Sequence, residues 1–65
     1  MNDIKTELVE NYIKENNLTK TKFCKLCGIN YNQYQKFMAN NLNFDVIVLF
    51  RIGRLINVKV YQLFK

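Results

Sequence analysis

The stretch that decides the fold is Leu18-Thr-Lys-Thr-Lys-Phe-Cys-Lys-Leu-Cys-Gly-Ile-Asn-Tyr-Asn-Gln-Tyr-Gln-Lys-Phe37. It reads as a short helix, a glycine turn and a second short helix. Phe23, Cys24, Cys27 and Ile29 supply the buried side of the first helix and the turn, and Tyr34 and Phe37 that of the second. Opposite them lie Lys, Asn, Gln, Thr and one Tyr. Thr19 is the expected N-cap of the first helix, which ends at Cys27. Gly28 then takes the left-handed conformation that a tight turn requires. Asn30 is the expected N-cap of the second helix, with Gln33 three residues on as a capping-box partner. An amide-rich helix on a basic platform is an arrangement that a DNA major groove accepts.

Working outward, the remaining segments also carry helical periodicity. Ile4, Leu8 and Tyr12 recur every four residues, with Val9 and Ile13 widening the stripe, so a first helix is expected from about Asp3 to Glu15 with Asn2 as its cap. Asn16 and Asn17 end it. A fourth helix is expected after Asn43 as N-cap, with Leu42 stapled onto Ile47. Val46, Ile47, Leu49, Phe50, Ile52 and Ile56 form its wide, buried apolar face. Gly53, inside this helix, costs about 1 kcal/mol relative to Ala and lets another helix approach closely. Asn57 and Val58 break it, and Val60, Leu63 and Phe64 belong to a short fifth helix. With no proline, two glycines and no repeat or linker, residues 1–65 read as one all-α domain.

The charge is uneven. Residues 1–17 carry Asp3, Glu7, Glu10 and Glu15 against Lys5 and Lys14, a balance of −2. Residues 18–40 carry Lys20, Lys22, Lys25 and Lys36 and no acid. Residues 41–65 carry Arg51, Arg54, Lys59 and Lys65 against Asp45. A long stretch free of carboxylate marks a face kept attractive to an anion, and nucleic acid fits better than a membrane surface. The longest apolar run, Val46 to Phe50, is far short of a bilayer span, and no apolar leader opens the chain. The expectation is a soluble, cytoplasmic protein with reduced thiols. Its abundant Asn, Lys, Ile, Tyr and Phe suit an AT-rich bacterial or phage genome.

Catalytic and metal chemistry find little here. There is no histidine, and two cysteines fall short of a structural zinc set, so neither metal nor cofactor is expected. No nucleophile stands with a base, so the chain does not read as an enzyme. Cys24-Lys-Leu-Cys27 has the spacing of a redox motif, but both thiols fall inside a helix at positions that want small or apolar residues, where cysteine packs as a small hydrophobe.

The spacing resembles the phage Cro/repressor family of helix-turn-helix proteins, also called XRE-like. Its twenty-residue motif would run from about Lys20 to Ala39. It wants an apolar fourth slot (Phe23), a small fifth (Cys24), an apolar eighth (Cys27), glycine at the ninth (Gly28), and apolar tenth, fifteenth and eighteenth slots (Ile29, Tyr34, Phe37). Residues 52–64 look like the family's fourth and fifth helices. Tyr34 departs from the usual aliphatic, Cys24 from the usual alanine, and Asn40 stands where many members have glycine. The resemblance implies a compact five-helix, lambda-repressor-like domain whose third helix, about residues 30–39, reads the major groove as a sequence-specific transcriptional regulator.

At 100° per residue, inward-pointing Tyr34 and Phe37 put Asn32 and Lys36 on the opposite side, with Gln33 and Gln35 flanking and Tyr31 at the exposed N-terminal end. Asn and Gln can pair with adenine N6 and N7, and Lys can donate to guanine. Tyr31, Asn32, Gln35 and Lys36 match positions that reach base edges in the family, and are the candidate base contacts. Thr19, Lys20, Lys22, Gln33 and Asn40 are the candidate phosphate contacts. Lys20 and Lys22 stand in the first turn of their helix, against its dipole, a placement that favours a bound phosphate. Arg51 and Arg54 share an edge that could meet a phosphate, a partner or water. The expected partner is a double-stranded, palindromic operator bound by a homodimer, with no small-molecule ligand. Tyr61, Leu63 and Phe64 are the candidate dimer surface, although Leu63 and Phe64 could equally close the core. The alternative is a helical interaction adaptor, antitoxin-like or anti-repressor-like, that keeps the fold without reading DNA.

Overall fold

The computed structural model describes residues 3–65. Among these the chain forms α1 (Thr6–Glu15), α2 (Lys20–Cys27), α3 (Tyr31–Met38), α4 (Ile47–Ile56) and a closing 3₁₀ turn (Val60–Leu63). No strand forms among the described residues; one isolated antiparallel bridge pairs Ile4 with Phe64. The all-helical expectation holds. The expected fifth helix is a single 3₁₀ turn instead, because the chain must straighten immediately after Leu63 to make that bridge.

All four α-helices end in the same way. A residue with positive φ follows the last turn: Asn17 (52°), Gly28 (75°), Asn40 (59°) and Asn57 (63°). The next amide then reaches back over the turn, Leu18 to the Ile13 carbonyl, Ile29 to Cys24, Asn41 to Lys36 and Val58 to Gly53, at 2.9–3.0 Å. This is the Schellman arrangement, which satisfies carbonyls that a helix end would otherwise leave orphaned. Asparagine tolerates the left-handed region, so three asparagines do here what glycine does once.

The start of α2 matches the sequence closely. The Thr19 hydroxyl oxygen accepts the Lys22 N–H at 3.0 Å. At α3 the Asn30 side-chain oxygen accepts the Asn32 N–H at 2.8 Å, but the capping box is not made. Gln33 Oε1 instead accepts the Asp45 N–H at 2.8 Å and ties α3 to the loop before α4.

Two helix starts differ from expectation. The first helix begins at Thr6, not Asp3, because residues 3–5 run alongside the C-terminal segment. Lys5 donates its N–H to the Leu63 carbonyl at 2.7 Å, and Lys65 donates to Asp3 at 2.8 Å. Asn40 adds a cross-tie, accepting the Ile4 N–H at 2.9 Å and donating to the Asp3 carboxylate at 3.0 Å. Ile4 is therefore buried as part of a clasp between the two ends of the chain, not as the first residue of a helical stripe. The expected cap at Asn2 lies outside the described residues. Similarly, α4 begins at Ile47 and Asn43 does not cap it. The Asn43 N–H goes to Asn41 Oδ1, while Asp45 Oδ1 accepts the Ile47 N–H at 3.2 Å. Leu42 and Ile47 are both exposed, so the staple between them falls with the cap.

The core is built from Ile4, Val9, Phe23, Cys24, Cys27, Tyr34, Phe37, Val48, Ile52 and Leu63. Phe23 sits at its aromatic centre, with the Tyr12 ring edge-on at 6.0 Å and the Tyr34 ring at 5.8 Å. Helix α4 packs across α1 and α2. Its inner face is Val48, Ile52 and Gly53, so Val46, Ile47 and Phe50 point outward, contrary to the buried face expected from composition. A Cβ at Gly53 would stand 2.8 Å from the Val58 carbonyl oxygen. The close approach is thus made by this helix's own C-terminal turn, not by another helix.

Candidate nucleic-acid interface

The candidate face is the outer side of α3 and the beginning of α2. Thr19 and Asn30 spend their side-chain oxygens on the first turns of these helices, and Gly28 joins them in the left-handed region. Arg51 of α4 donates through Nη1 to the Gly28 carbonyl, a pin between α4 and the turn that sequence reading missed. An arginine three residues from another on an amphipathic helix carries no local sign of such a target 23 residues away.

Burial of Tyr34 and Phe37 orients α3 and turns the other side chains outward. Tyr31, Asn32 and Gln35 are exposed, and Lys36 is half-buried. The Tyr31 ring lies nearly parallel to Tyr34, centroids 5.6 Å apart and planes 28° apart, so this exposed aromatic is held rather than free. Tyr31, Gln35 and Lys20 line one open groove of about 570 Å³ with Glu10, Ile13, Tyr34, Met38 and Ala39. The structure thus brings one candidate phosphate contact beside two candidate base contacts. Glu10 contributes a carboxylate to the same groove.

Tyr34 opens onto that groove, and no buried side-chain oxygen or nitrogen lacks a partner among the described residues. Its phenol is pushed up from the usual range, first by burial and then by Cys24, Tyr31 and Glu10. It therefore stays neutral, as a ring in a core must.

Three of the phosphate candidates have structural duties, Thr19 as the cap of α2 and two others farther along the chain. Gln33 is half-buried with its oxygen on the Asp45 N–H. Asn40 uses both ends of its carboxamide on the N-terminal segment. Lys20 and Lys22 are exposed in the first turn of α2, which contains no acid. Helix α3 likewise has no acid in its first turn.

The two cysteines are free and buried. Burial raises the Cys24 thiol, and it pushes Cys27 up to about 12 with a smaller push from Cys24. Thiols held protonated pack as apolar groups and are poor nucleophiles. No group of three or more His, Cys, Asp or Glu side chains is placed to hold a metal among the described residues. No helix among them is long and apolar enough to cross a membrane.

Fold and face together define a small all-helical domain that displays a cationic, amide-bearing helix surface. The chain belongs to the family described as Domain of unknown function (DUF7726), whose model matches residues 3–44. That match spans α1, α2 and α3, and so the whole candidate face, and stops before α4. No curated protein and no solved structure matches the chain.

Proposed function

We propose that the protein is a sequence-specific DNA-binding regulator of Cro/repressor type, in which α2, Gly28 and α3 act as a helix-turn-helix and α3 enters the major groove. The observation that carries the reading is the outer face of α3. Tyr31, Asn32, Gln35 and Lys36 stand on one polar surface behind a capped, glycine-turned α2, within a stretch that contains no carboxylate. In this reading the domain has the lambda-repressor-like arrangement, with the 3₁₀ turn in place of the fifth helix.

The division of labour follows from charge and reach. Lys20 and Lys22, with the free N–H groups at the start of α2, hold a phosphate and set the register. Amide side chains and Lys36 then read base edges. Binding weakens steeply with salt, because each neutralised phosphate releases counterions. One module this small buries little surface, so two copies on a palindrome, about one DNA turn or 34 Å apart, supply useful specificity. Binding, not catalysis, is the activity, and operator occupancy inside the cell is the means of regulation.

Selection from random duplex DNA tests this. A palindromic consensus is expected. Asn32→Ala with Lys36→Ala should lose about 1–3 kcal/mol of discrimination, whereas Lys20→Ala with Lys22→Ala should weaken all sequences alike and flatten the salt slope by about 2. No enrichment, with wild type binding no better than the lysine pair, would sink the proposal and leave an interaction adaptor.

A further inference from the structure

The outer face of α4 has no role in the reading above. Val46 is 62% exposed and Phe50 57%, and Leu42 and Ile47 are also exposed. Val46 and Phe50 are four residues apart and Ile47 and Phe50 three, so they form one surface at the N-terminal end of the helix. Leu42 continues it, since Leu42, Phe44, Val46, Leu49 and Phe64 line a single apolar groove of about 390 Å³. Half-exposed side chains of this size show on the order of 100 Å² each, so four present about 400 Å², the size of the largest apolar patch on an ordinary monomer, which is often a functional one.

We infer that this face is a homodimer interface in which α4 packs antiparallel against α4 of a second copy, with the two-fold axis at Phe50. The charges at its two ends carry the choice of partner. Asp45, the one acid in residues 41–65, stands exposed at the start of α4, and Arg54 lies in its last turn on the Phe50 side. A two-fold axis at Phe50 sets Val46 of one copy opposite Arg54 of the other, about 12 Å from the symmetry-related contact, and brings Asp45 to the same end. Each Arg54 then comes to the end of the facing helix where Asp45, capping the Ile47 N–H, sets its negative charge against that helix's positive dipole end. This occurs twice by symmetry, and the two antiparallel helix dipoles offset one another. Apolar groups meet in the middle, where like charges would otherwise be forced together. An acidic peptide suits the face less well. Arg51 is committed to the Gly28 carbonyl, so the face offers it Arg54 alone.

The apolar patch is about half the roughly 800 Å² per partner of a standard interface, so self-association is weak and concentration-dependent. It requires no DNA, and its test is made without DNA, so its failure is separate from failure of the DNA reading.

Sedimentation equilibrium of the 65-residue chain from about 10 μM to 1 mM covers the weak range. The mass should rise from 7.8 kDa towards twice that value. Phe50→Asp should weaken association roughly tenfold or more, as expected for a central apolar residue. Tyr61→Asp, on the 72% exposed tyrosine of the C-terminal segment, should leave it intact. Arg54→Glu should weaken it, and adding Asp45→Lys should recover it relative to either single variant. Because residue 50 meets its own symmetry mate, Phe50→Cys should oxidise to a covalent dimer; the buried Cys24 and Cys27 do not compete. A monomer at every concentration overturns the inference. So does a dimer that survives Phe50→Asp, or one that Tyr61→Asp dissolves.

Discussion

The outer faces of α3 and α4 are built from opposite materials on the same small scaffold. Helix α3 turns amides, a lysine and a stacked tyrosine to solvent, all groups that can trade water for base edges or phosphates at little loss. Helix α4, with Val46 just before it, turns valine, isoleucine and phenylalanine outward, groups that gain only by leaving water. Their inner faces are alike, since Phe37 and Ile52 are both wholly buried. Exposure, not helix content, therefore separates a surface suited to an anion from one suited to another protein.

The sharpest test deletes the same ring on either side of that divide. Phe37→Ala should cost about 3–5 kcal/mol. That equals the whole stability expected of a chain this size, so the variant should lose its far-UV helix signal at 25 °C. Phe50→Ala should change urea unfolding of dilute protein by no more than about 0.5 kcal/mol. Equal losses would mean that Phe50 belongs to the core and that α4 has no free face.

Glycine positions sharpen the comparison at the next level. Gly53→Ala gains helix propensity but drives its methyl to 2.8 Å from the Val58 carbonyl oxygen. A net loss of about 1–2 kcal/mol in thermal unfolding is expected, overpacking outweighing propensity. Gly28→Ala forces an L side chain to φ 75° and should cost a similar 1–2 kcal/mol. Gly28→Asn should cost less, because Asn17, Asn40 and Asn57 already hold that conformation, although its Cβ still crowds Arg51 at 3.3 Å.

The smallest effect is one of pH. Folding raises the Cys27 thiol to about 12, so the folded state keeps a proton that the unfolded chain releases earlier. The associated stability is complete below the ordinary thiol range and is lost as pH rises through that range towards 12. Cys27→Ala should flatten this alkaline decline in pH-dependent unfolding. An unchanged slope would assign it to other groups, with Tyr34 the next to examine.

What could be read from residue order alone was the local chemistry of α2 and α3. Thr19, Gly28 and Asn30 each act within a turn of their own position, through hydrogen bonds and φ preferences that short segments determine. The same is true of the asparagines that end α1 and α4. The inward set Phe23, Cys24, Cys27, Tyr34 and Phe37 followed from period alone. Residues whose partners are distant in sequence behaved otherwise. Ile4 had the spacing of a helical stripe, but it pairs with Phe64 sixty residues away, where two chain ends satisfy each other's amides. Gln33 and Asn40 had the composition of solvent-facing contacts, yet their amides were taken by Asp45 and by the N-terminal segment. Leu63 was left between surface and core by its sequence, and packing placed it wholly inside. The apolar run at the start of α4 is the clearest case. Its composition demanded burial, but a helical turn that is apolar on every side, as residues 46–50 are, can present only one side to a single core. Which side was set by Val48, Ile52 and Gly53 fitting against α1, α2 and the Val58 carbonyl, and Phe50 was left outside by that fit.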